Sequence, residues 1–265
     1  MRRPIITLTT DFGSRDPYAA EMKAVIVGIS PNATIVDITH QVDKFNISMG
    51  AYILASACPY FPEGTVHAAV VDPGVGTKRR PIIVQTERSC FVGPDNGLLA
   101  LAARSIGGKM HIYSITNREF MLPSVSNTFH GRDIFAPAAA HLANGRRPAD
   151  LGKEIHQMIS PGFMRTIRRK DAFEGQVIHI DDFGNIITNF TAKQLQTMKI
   201  KDEARLKIGE VKQTLKLCKA YGEVKKRQPL AIIGSSNLLE ISVNQDSAAS
   251  KFNVQVGNKI SIFCQ

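Results

Sequence analysis

The feature that most constrains this chain is the apolar run AAVV, which stops at Asp72 and is followed by a Pro-Gly pair and a second glycine, Gly76. Proline has no backbone N–H and glycine tolerates positive φ, so a strand built on this run ends at Asp72. In α/β proteins the ligand crevice lies at the carboxyl ends of buried strands. On these residues alone, an aspartate that caps its own turn and pairs with Arg79 remains the simpler interpretation.

The first half of the chain alternates between strand-like and helix-like segments. Strand-like segments are 4–10, 34–38 and 65–71, and apolar residues at helical spacing run through 18–29 and 47–57. This alternation predicts an α/β domain whose mostly parallel sheet carries helices on both faces. Because the carboxyl ends of parallel strands meet at one edge, the side chains that follow them are expected to converge.

The pattern changes near residue 150. Segment 151–170 is rich in polar and turn-forming residues and is predicted to be a linker, whereas 171–265 contains short strands and no convincing long helix. Short strands separated by turns are typical of a small β-sandwich or barrel. We therefore predict an α/β domain at 1–150 and a β domain at 171–265, with the boundary between about 145 and 172.

Composition argues against several classes of protein. With 43% hydrophobic residues in 265, the chain can bury a sizeable core and is not broadly disordered. No apolar run is long enough to cross a membrane, and the first one is too short for a signal peptide. Four scattered cysteines without a CxxC pair predict free thiols and a cytoplasmic protein. The net charge is +10, but the basic runs lack interleaved aromatic residues, so we expect no nucleic-acid partner.

Six polar clusters lie next to predicted strands or helices. They are 11–16, Asp72 to Arg79, Asp95-Asn96 and 130–133 in the first domain, and 181–185 and 234–237 in the second. Each has a structural alternative, such as a turn cap, a hairpin or a buried histidine. Together, carboxylates with one His and one Arg at loop positions are typical of a hydrolytic site. No dinucleotide fingerprint, P-loop or GxSxG elbow is present.

Six motifs spread along the chain resemble those of one family. They are TTDFGSRDPY (9–18), VVDPGVGTKRR (70–80), GPDNGLL (93–99), TFHGRDIFAPAAAHLA (128–143), IDDFGNIITN (180–189) and GSSNLLEI (234–241). In this order they resemble the S-adenosyl-L-methionine (SAM) hydroxide adenosyltransferases, the water-using relatives of the SAM-dependent fluorinase and chlorinase. The resemblance implies an α/β domain joined to a β domain, SAM as substrate, and no metal or other cofactor. It also implies a homotrimer, with each active site between the N-terminal domain of one subunit and the C-terminal domain of its neighbour.

The resemblance assigns Asp72, Arg79 and His130 to the attacking water. Arg79 would favour a developing hydroxide, and Asp72 or His130 would accept its proton, help that is typically worth ~10²–10⁴ in rate. In the halide-using branch a tyrosine stands at the Asp72 position, and a serine follows the His130 position. Asp72 and Gly131 therefore indicate water as the nucleophile.

The resemblance also implies a set of substrate-binding residues. Asp11 would accept hydrogen bonds from the ribose hydroxyls, which suits the two oxygens of a carboxylate. The other positions are Asp16 and Asp181 near the methionine ammonium, Phe183 and Asn185 at the adenosine, and Ser235, Ser236 and Glu240 in the last motif. Ser235 would help to hold the methionine part, and Ser236 replaces the arginine with which the halogenases bind the carboxylate.

We therefore predict a hydrolase that converts SAM and water to adenosine and L-methionine by attack of activated water on C5′. One alternative is a metal-dependent hydrolase of a nucleoside-type substrate, in which Asp11, Asp72, Asp95 and His130 would be ligands for a hard cation. The other is a non-enzymatic protein that only binds SAM or adenosine.

Overall fold

A computed structural model describes residues 3–264, which form two compact units, one ending at Pro161 and the other beginning at Gly162. Each unit contains its own sheet and its own hydrophobic core. In the described range, no helix combines the length and apolar character needed to span a membrane.

Unit 1 is built on a seven-stranded sheet. Its strands are β1 (Ile5–Thr10), β2 (Thr34–Thr39), β3 (Thr65–Val70), β4 (Pro81–Gln85), β5 (Ser89–Pro94), β6 (His111–Ser114) and β7 (Glu154–Ile155). Its helices are α1 (Tyr18–Ile29), α2 (Ile47–Ala57), α3 (Ala100–Ile106), α4 (Ala136–Ala143) and α5 (Pro148–Leu151). A π-helical segment, Gly131–Phe135, leads directly into α4.

The strand order of unit 1 is β2-β1-β3-β5-β4-β6-β7. The first four strands of this order pair in parallel, and the last three add in antiparallel fashion. The mostly parallel sheet is thus confirmed. The chain goes from β1 to β2 on one side and then to β3 on the other, so the winding reverses at β1. Such a reversal is where open α/β sheets bind ligands, outside the carboxyl ends of the strands.

Alternating side chains of the central strands point to opposite faces, and both faces are covered. Ile6 and Leu8 of β1 belong to the apolar cluster that contains buried residues of α1 and α4. On the other face, His67 of β3 meets Phe61, which follows α2. The predicted placement of helices on both faces is confirmed.

His67 is a buried titratable group within this sheet. Its ring stacks on Phe91 with the centroids 4.9 Å apart, and its Nδ1 lies 2.8 Å from the hydroxyl oxygen of Thr7. In the part of the chain that is described, its Nε2 has no hydrogen-bond partner. Burial lowers the pKa of His67 to about 4, so the ring is neutral in the folded protein near pH 7.

Unit 2 is a β-barrel, which confirms the predicted C-terminal β domain. Its strands are β8 (Ile167–Arg168), β9 (Ala172–Ile180), β10 (Ile186–Thr191), β11 (Glu203–Ile208), β12 (Val211–Cys218), β13 (Pro229–Ile233), β14 (Leu238–Val243) and β15 (Lys259–Phe263). Two short helices, α6 (Ala192–Thr197) and α7 (Ala248–Phe252), accompany them.

The barrel closes because β10 pairs with both β14 and β9. The order β10-β14-β13-β12-β11-β15-β9 therefore forms a ring, and β8 adds to β9 outside it. Closure removes unpaired strand edges, which would otherwise invite pairing with other chains. The segment 151–170, expected to be a linker, contributes β7 to the sheet of unit 1 and β8 to that of unit 2.

The buried ring of His67 predicts a specific loss of stability in acid. The folded pKa lies below the unfolded value of about 6.5, so between about pH 6.5 and 4 the unfolded chain binds a proton that the folded chain does not. The free energy of unfolding should therefore fall by about 3 kcal/mol as the pH drops through this window. Urea unfolding of the wild type and of His67→Gln at several pH values measures this. In His67→Gln, this fall in the free energy of unfolding should be absent. An equal pH dependence of the free energy of unfolding in both proteins would contradict the prediction.

Candidate active site

The loops that follow β1 and β3 line a pocket of about 340 Å³ in unit 1. Its lining residues are Asp11, Phe12, Tyr18, Lys44, Phe45, Val70, Asp72, Val75, Thr128, Phe129, His130 and Gly131. Thr10 and Val70 are paired at the ends of the two parallel strands, so the chain leaves both strands at the same level. The pocket therefore lies at the carboxyl edge where the winding of the sheet reverses.

The loop after β3 brings Arg79 back onto Asp72. Val75 donates its backbone N–H to the carbonyl of Asp72 at 3.2 Å, which closes the turn. Gly76 has φ +75°, and a Cβ at this position would lie 2.2 Å from the carbonyl oxygen of Asn127. Only glycine permits this close approach of the loop to the segment that precedes His130.

Asp72, Arg79 and His130 form one contact cluster. Arg79 binds Asp72 in a bidentate manner, through Nε to Oδ1 at 3.0 Å and through a short contact of Nη2 with Oδ2. The same Nη2 lies 3.0 Å from Nδ1 of His130. The Asp72 and Arg79 side chains are only 5% and 6% exposed, and the guanidinium lies over the ring of Phe135. Within residues 3–264, Nη1 of Arg79 is a buried donor without an acceptor.

The contact with Arg79 also defines the tautomer of His130. A guanidinium can only donate, so Nδ1 of His130 accepts, and the proton of the neutral ring is on Nε2. Burial first, and then the charge of Arg79, lower the pKa of His130 and outweigh the opposite effects of Asp72 and Asp133. The ring is therefore a neutral base near pH 7.

Asp11 lies beside this cluster and is buried directly after β1. It accepts hydrogen bonds from two residues that line the pocket, Lys44 and Phe45. Its Oδ2 accepts the backbone N–H of Phe45 at 2.9 Å, and its carbonyl accepts a hydrogen bond from Nζ of Lys44 at 2.5 Å. Phe45 itself has φ +64° and is 68% exposed. The sequence analysis missed Lys44 and Phe45, although an aromatic residue shortly after the second strand was a usable signal. The other oxygen of Asp11, Oδ1, remains as an acceptor for a ligand.

An aromatic cluster forms another side of the pocket. The rings of Phe12, Tyr18 and Phe129 contact one another with centroids 5.1 to 5.8 Å apart. Gly131 lies against them, and a Cβ there would be 3.0 Å from the Phe129 ring. A serine at this position, as expected in the halide-using branch, would require these rings to shift.

Three other expected residues of unit 1, Asp16, Asp95 and Asn96, lie outside the pocket lining. Asp16 is exposed on the turn before α1. Asp95 is buried and serves the loop structure, because it accepts hydrogen bonds from Arg80 and from the backbone N–H of Ile159. Asn96 donates to the carbonyl of Val71 at 2.8 Å and so supports the residue before Asp72.

The four ligands of the alternative metal site do not form one cluster. Asp72 is bound to Arg79, and Asp95 is bound to Arg80. Across residues 3–264, no group of three or more His, Cys, Asp or Glu side chains is arranged to hold a metal ion.

Unit 2 carries a second pocket, of about 670 Å³. Three expected binding residues line it, together with residues that the sequence analysis missed; the full set is Asp181, Phe183, Asn185, Tyr221, Val243, Asn244, Gln245, Asp246 and Ser247. Asp181 also closes its own turn by accepting the backbone N–H groups of Phe183 and Asn185 and the amide of Asn185. The Phe183 ring is 81% exposed, so a broad aromatic face is available at this pocket.

The last motif has a more indirect position. Ser235 and Ser236 lie in the turn between β13 and β14 and do not line the second pocket. Glu240 is buried on β14, where its Oε1 accepts hydrogen bonds from the hydroxyls of Tyr221 and Ser242, both at 2.7 Å. Glu240 therefore orients Tyr221, a pocket residue, and is not itself part of the lining.

Comparison with known proteins gives matches over both units. The domain family described as "SAM hydroxide adenosyltransferase N-terminal domain" matches residues 6–152, and the corresponding "C-terminal domain" matches residues 175–261. An (R)-S-adenosyl-L-methionine hydrolase of Methanocaldococcus jannaschii is 38% identical and covers 97% of this chain and 95% of its own length. A fluorinase of Actinopolyspora mzabensis is 26% identical over 98% of this chain and 97% of its own length.

A solved structure also matches. It is that of an uncharacterized conserved protein from Thermotoga maritima, with a TM-score of 0.89 and 36% sequence identity. The match covers 98% of this chain and 100% of the other.

The cluster predicts that Arg79 controls the protonation of His130. In Arg79→Leu the pKa of His130 should rise, because one of the two causes that lower it is removed while Asp72 and Asp133 remain. NMR titration of the His130 ring carbon and proton signals measures this shift. Arg147→Leu is the matched control, since Arg147 is an exposed arginine paired with Asp150. A His130 pKa that is unchanged or lower in Arg79→Leu would contradict the prediction.

Proposed function

This chain belongs to the SAM hydroxide adenosyltransferase family and is a SAM hydrolase, and we propose that Asp72, Arg79 and His130 activate its attacking water. Its products are adenosine and L-methionine. The observation that carries the proposed mechanism is the buried contact cluster, in which one guanidinium contacts both a carboxylate and a neutral imidazole. The cluster borders the pocket at the carboxyl edge of the sheet.

The chemistry requires little more than an oriented, deprotonated water. The sulfonium of SAM makes C5′ of the ribose electrophilic, and methionine departs as a neutral thioether when the C5′–S bond breaks. A new C5′–O bond forms with hydroxide, and the proton of the water remains with the protein before it is released. Holding the water in line and away from bulk solvent supplies much of the rate.

Each member of the cluster has a proposed part in this step. Nη1 of Arg79 donates to the water oxygen and stabilises its developing negative charge. The water proton goes either to a carboxylate oxygen of Asp72 or to Nδ1 of His130, which would accept it in exchange for its hydrogen bond from Arg79. Both already share Arg79, so the guanidinium also orients the acceptors relative to each other.

The remaining residues are proposed to bind SAM. Asp11 accepts from the ribose hydroxyls with the oxygen that Phe45 does not use. Asp16 and Asp181 attract the methionine ammonium, and Ser235 and Ser236 hold the methionine part. Phe183 and Asn185 contact the adenosine, and Glu240 acts there through Tyr221.

We also propose a homotrimer in which the unit 1 pocket of one copy and unit 2 of another copy act on the same substrate. The division of the expected binding residues between two units, each with a pocket of its own, supports this arrangement. The protein is proposed to use no metal, no other cofactor and no nucleic-acid or membrane partner. A cytoplasmic location is proposed because all four cysteines are free thiols.

Product analysis tests the function. Chelator-treated protein incubated with SAM should give adenosine and methionine in equal amounts, with or without added halide. In Asp72→Asn and in His130→Ala, turnover should fall ~10²–10⁴-fold while SAM binding, measured by calorimetry, changes far less. Each variant keeps one of the two possible proton acceptors. The pH profile of kcat in the more active variant should therefore show the ionisation of the residue that accepts the proton.

His111→Ala is the matched control, since this histidine pairs with Glu154 at the edge of the sheet. A 5′-halo-adenosine product would move the chain to the halogenase branch. Activity that needs a divalent metal would support the metal-dependent alternative, and tight binding without turnover would support a binding protein.

Mixing of inactive variants tests the shared site. Asp72→Asn changes only unit 1, and Asp181→Asn changes only unit 2. If sites form between copies, random reassembly of the two variants should restore about a quarter of wild-type activity, because about a quarter of the sites then combine two intact halves. A mixture of Asp72→Asn with His130→Ala, both in unit 1, should restore none. Absence of recovery in the first mixture would contradict the shared site.

A further inference from the structure

The loop that carries two of the proposed water-activating residues has to cross the end of another strand. It begins at Asp72, shortly after β3, and ends at Arg79 and Arg80, which lead directly into β4. In the sheet, β5 lies between these two strands, parallel to β3 and antiparallel to β4. The loop therefore passes over the carboxyl end of β5. Asp95 and Asn96, which directly follow β5, lie at that end.

Asn96 binds the first end of this loop. Its Nδ2 donates to the carbonyl of Val71 at 2.8 Å, and Val71 is the residue before Asp72. Its Oδ1 accepts the backbone N–H of Leu98 at 3.1 Å. Because this second bond requires the amide oxygen, the NH₂ group is the one that faces the Val71 carbonyl. The backbone directly before Asp72 is thus held by a side chain from a different strand end.

Asp95 binds the last residue of the loop, Arg80. Its backbone N–H donates to the Arg80 carbonyl at 2.9 Å, and its Oδ2 accepts from Nε of Arg80 at 2.9 Å and from Nη2 in a short contact. Its Oδ1 accepts the backbone N–H of Ile159 at 2.7 Å, and Nη2 of Arg80 also donates to the carbonyl of Gln157. The Asp95 side chain is only 3% exposed. Both the backbone and the side chain of Arg80 are therefore fixed.

These contacts fix the backbone on both sides of the contact cluster. Arg79 has to reach two partners at once, with Nε 3.0 Å from Asp72 and Nη2 3.0 Å from His130. A backbone shift of about 1 Å would lengthen such bonds beyond hydrogen-bond range. Misplacement on this scale can lower a rate by about 10²-fold. Neither of the two residues after β5 lines the pocket, so any effect they have on the reaction passes through the loop.

We propose that Asp95 and Asn96 are positioning residues for the hydrolytic reaction. As a clamp on both ends of the loop, they hold Asp72 and Arg79 in contact with His130. The inference rests on the proposed role of these three residues in activating water. Both clamp residues act through the backbone that they hold, and neither touches the substrate. Loss of the clamp should therefore lower kcat and leave the binding of SAM largely unchanged.

The first test compares Asn96→Ala with Asn117→Ala. Asn117 is a matched control, because its Nδ2 also donates to a backbone carbonyl, that of Asp150 at 3.0 Å, and its Oδ1 also accepts the N–H of the second residue that follows it. In folded Asn96→Ala, kcat for SAM hydrolysis should fall about 10- to 100-fold with little change in KM. Asn117→Ala should keep the wild-type values. An equal fall of kcat in both variants would overturn the proposal.

The pKa of His130, measured by NMR titration, gives a second readout that needs no activity. Burial first, and then the charge of Arg79, lower this pKa. If the clamp keeps Arg79 against the ring, the pKa of His130 should rise in Asn96→Ala and stay unchanged in Asn117→Ala. An unchanged kcat or an unchanged pKa of His130 in folded Asn96→Ala would overturn the proposal.

Arg80→Lys tests the other end of the clamp and leaves every buried side chain in place. Arg80 is 44% exposed, so this variant should fold. A lysine ammonium keeps the charge beside Asp95 but cannot reproduce the forked contact of the guanidinium. Both kcat and the pKa of His130 should therefore change in the same direction as in Asn96→Ala, by a smaller factor. Wild-type values for both in Arg80→Lys would overturn the role of Asp95.

The same measurements separate the clamp from the proposed function. If the wild-type protein does not hydrolyse SAM but the pKa of His130 rises in Asn96→Ala and Arg80→Lys, the proposed function fails while the clamp stands. If SAM is hydrolysed and neither variant changes kcat or this pKa, the clamp fails while the proposed function stands.

Discussion

The parallel pairing of β1 with β3 is the constraint on which the site depends. Thr10 and Val70 are register partners, so both strands reach the edge of the sheet together. Asp11 follows one strand directly, and Asp72 follows the other after a single residue. The winding of the sheet reverses at β1, so no crossover connection covers this edge and a pocket remains open there.

Asp72 and Arg79 form a nearly buried ion pair at this edge of the sheet. Breaking such a pair by removing one partner typically costs about 3–5 kcal/mol, whereas replacing both partners by apolar residues is often neutral. Asp72 and Arg79 are therefore a weak source of stability for their degree of burial. Their presence at this edge is better explained by the third partner, His130, and by the donor of Arg79 that no described residue satisfies.

The two units contribute different chemistry. Unit 1 contains the charged cluster, on a short loop that lies so close to the backbone of Asn127 that a Cβ at Gly76 would collide with it. Unit 2 contains an exposed aromatic ring, Phe183, on a turn closed by Asp181, and a tyrosine oriented by Glu240. In the proposed mechanism, unit 1 serves the reacting centre and unit 2 serves recognition of the substrate's ends.

The sequence by itself determined where strands end and which polar groups follow them, because proline, glycine and aspartate impose turns locally. It therefore placed Asp11 and Asp72 directly after predicted strands, and its motifs identified the family. Tertiary structure decided what those groups touch. Asp95 belongs to a structural network with Arg80, Glu240 supports Tyr221 instead of lining a pocket, and Lys44 and Phe45 join the wall beside Asp11. The tautomer of His130 also depends on a contact between loops, and pairings over such distances leave no periodic signal in the sequence.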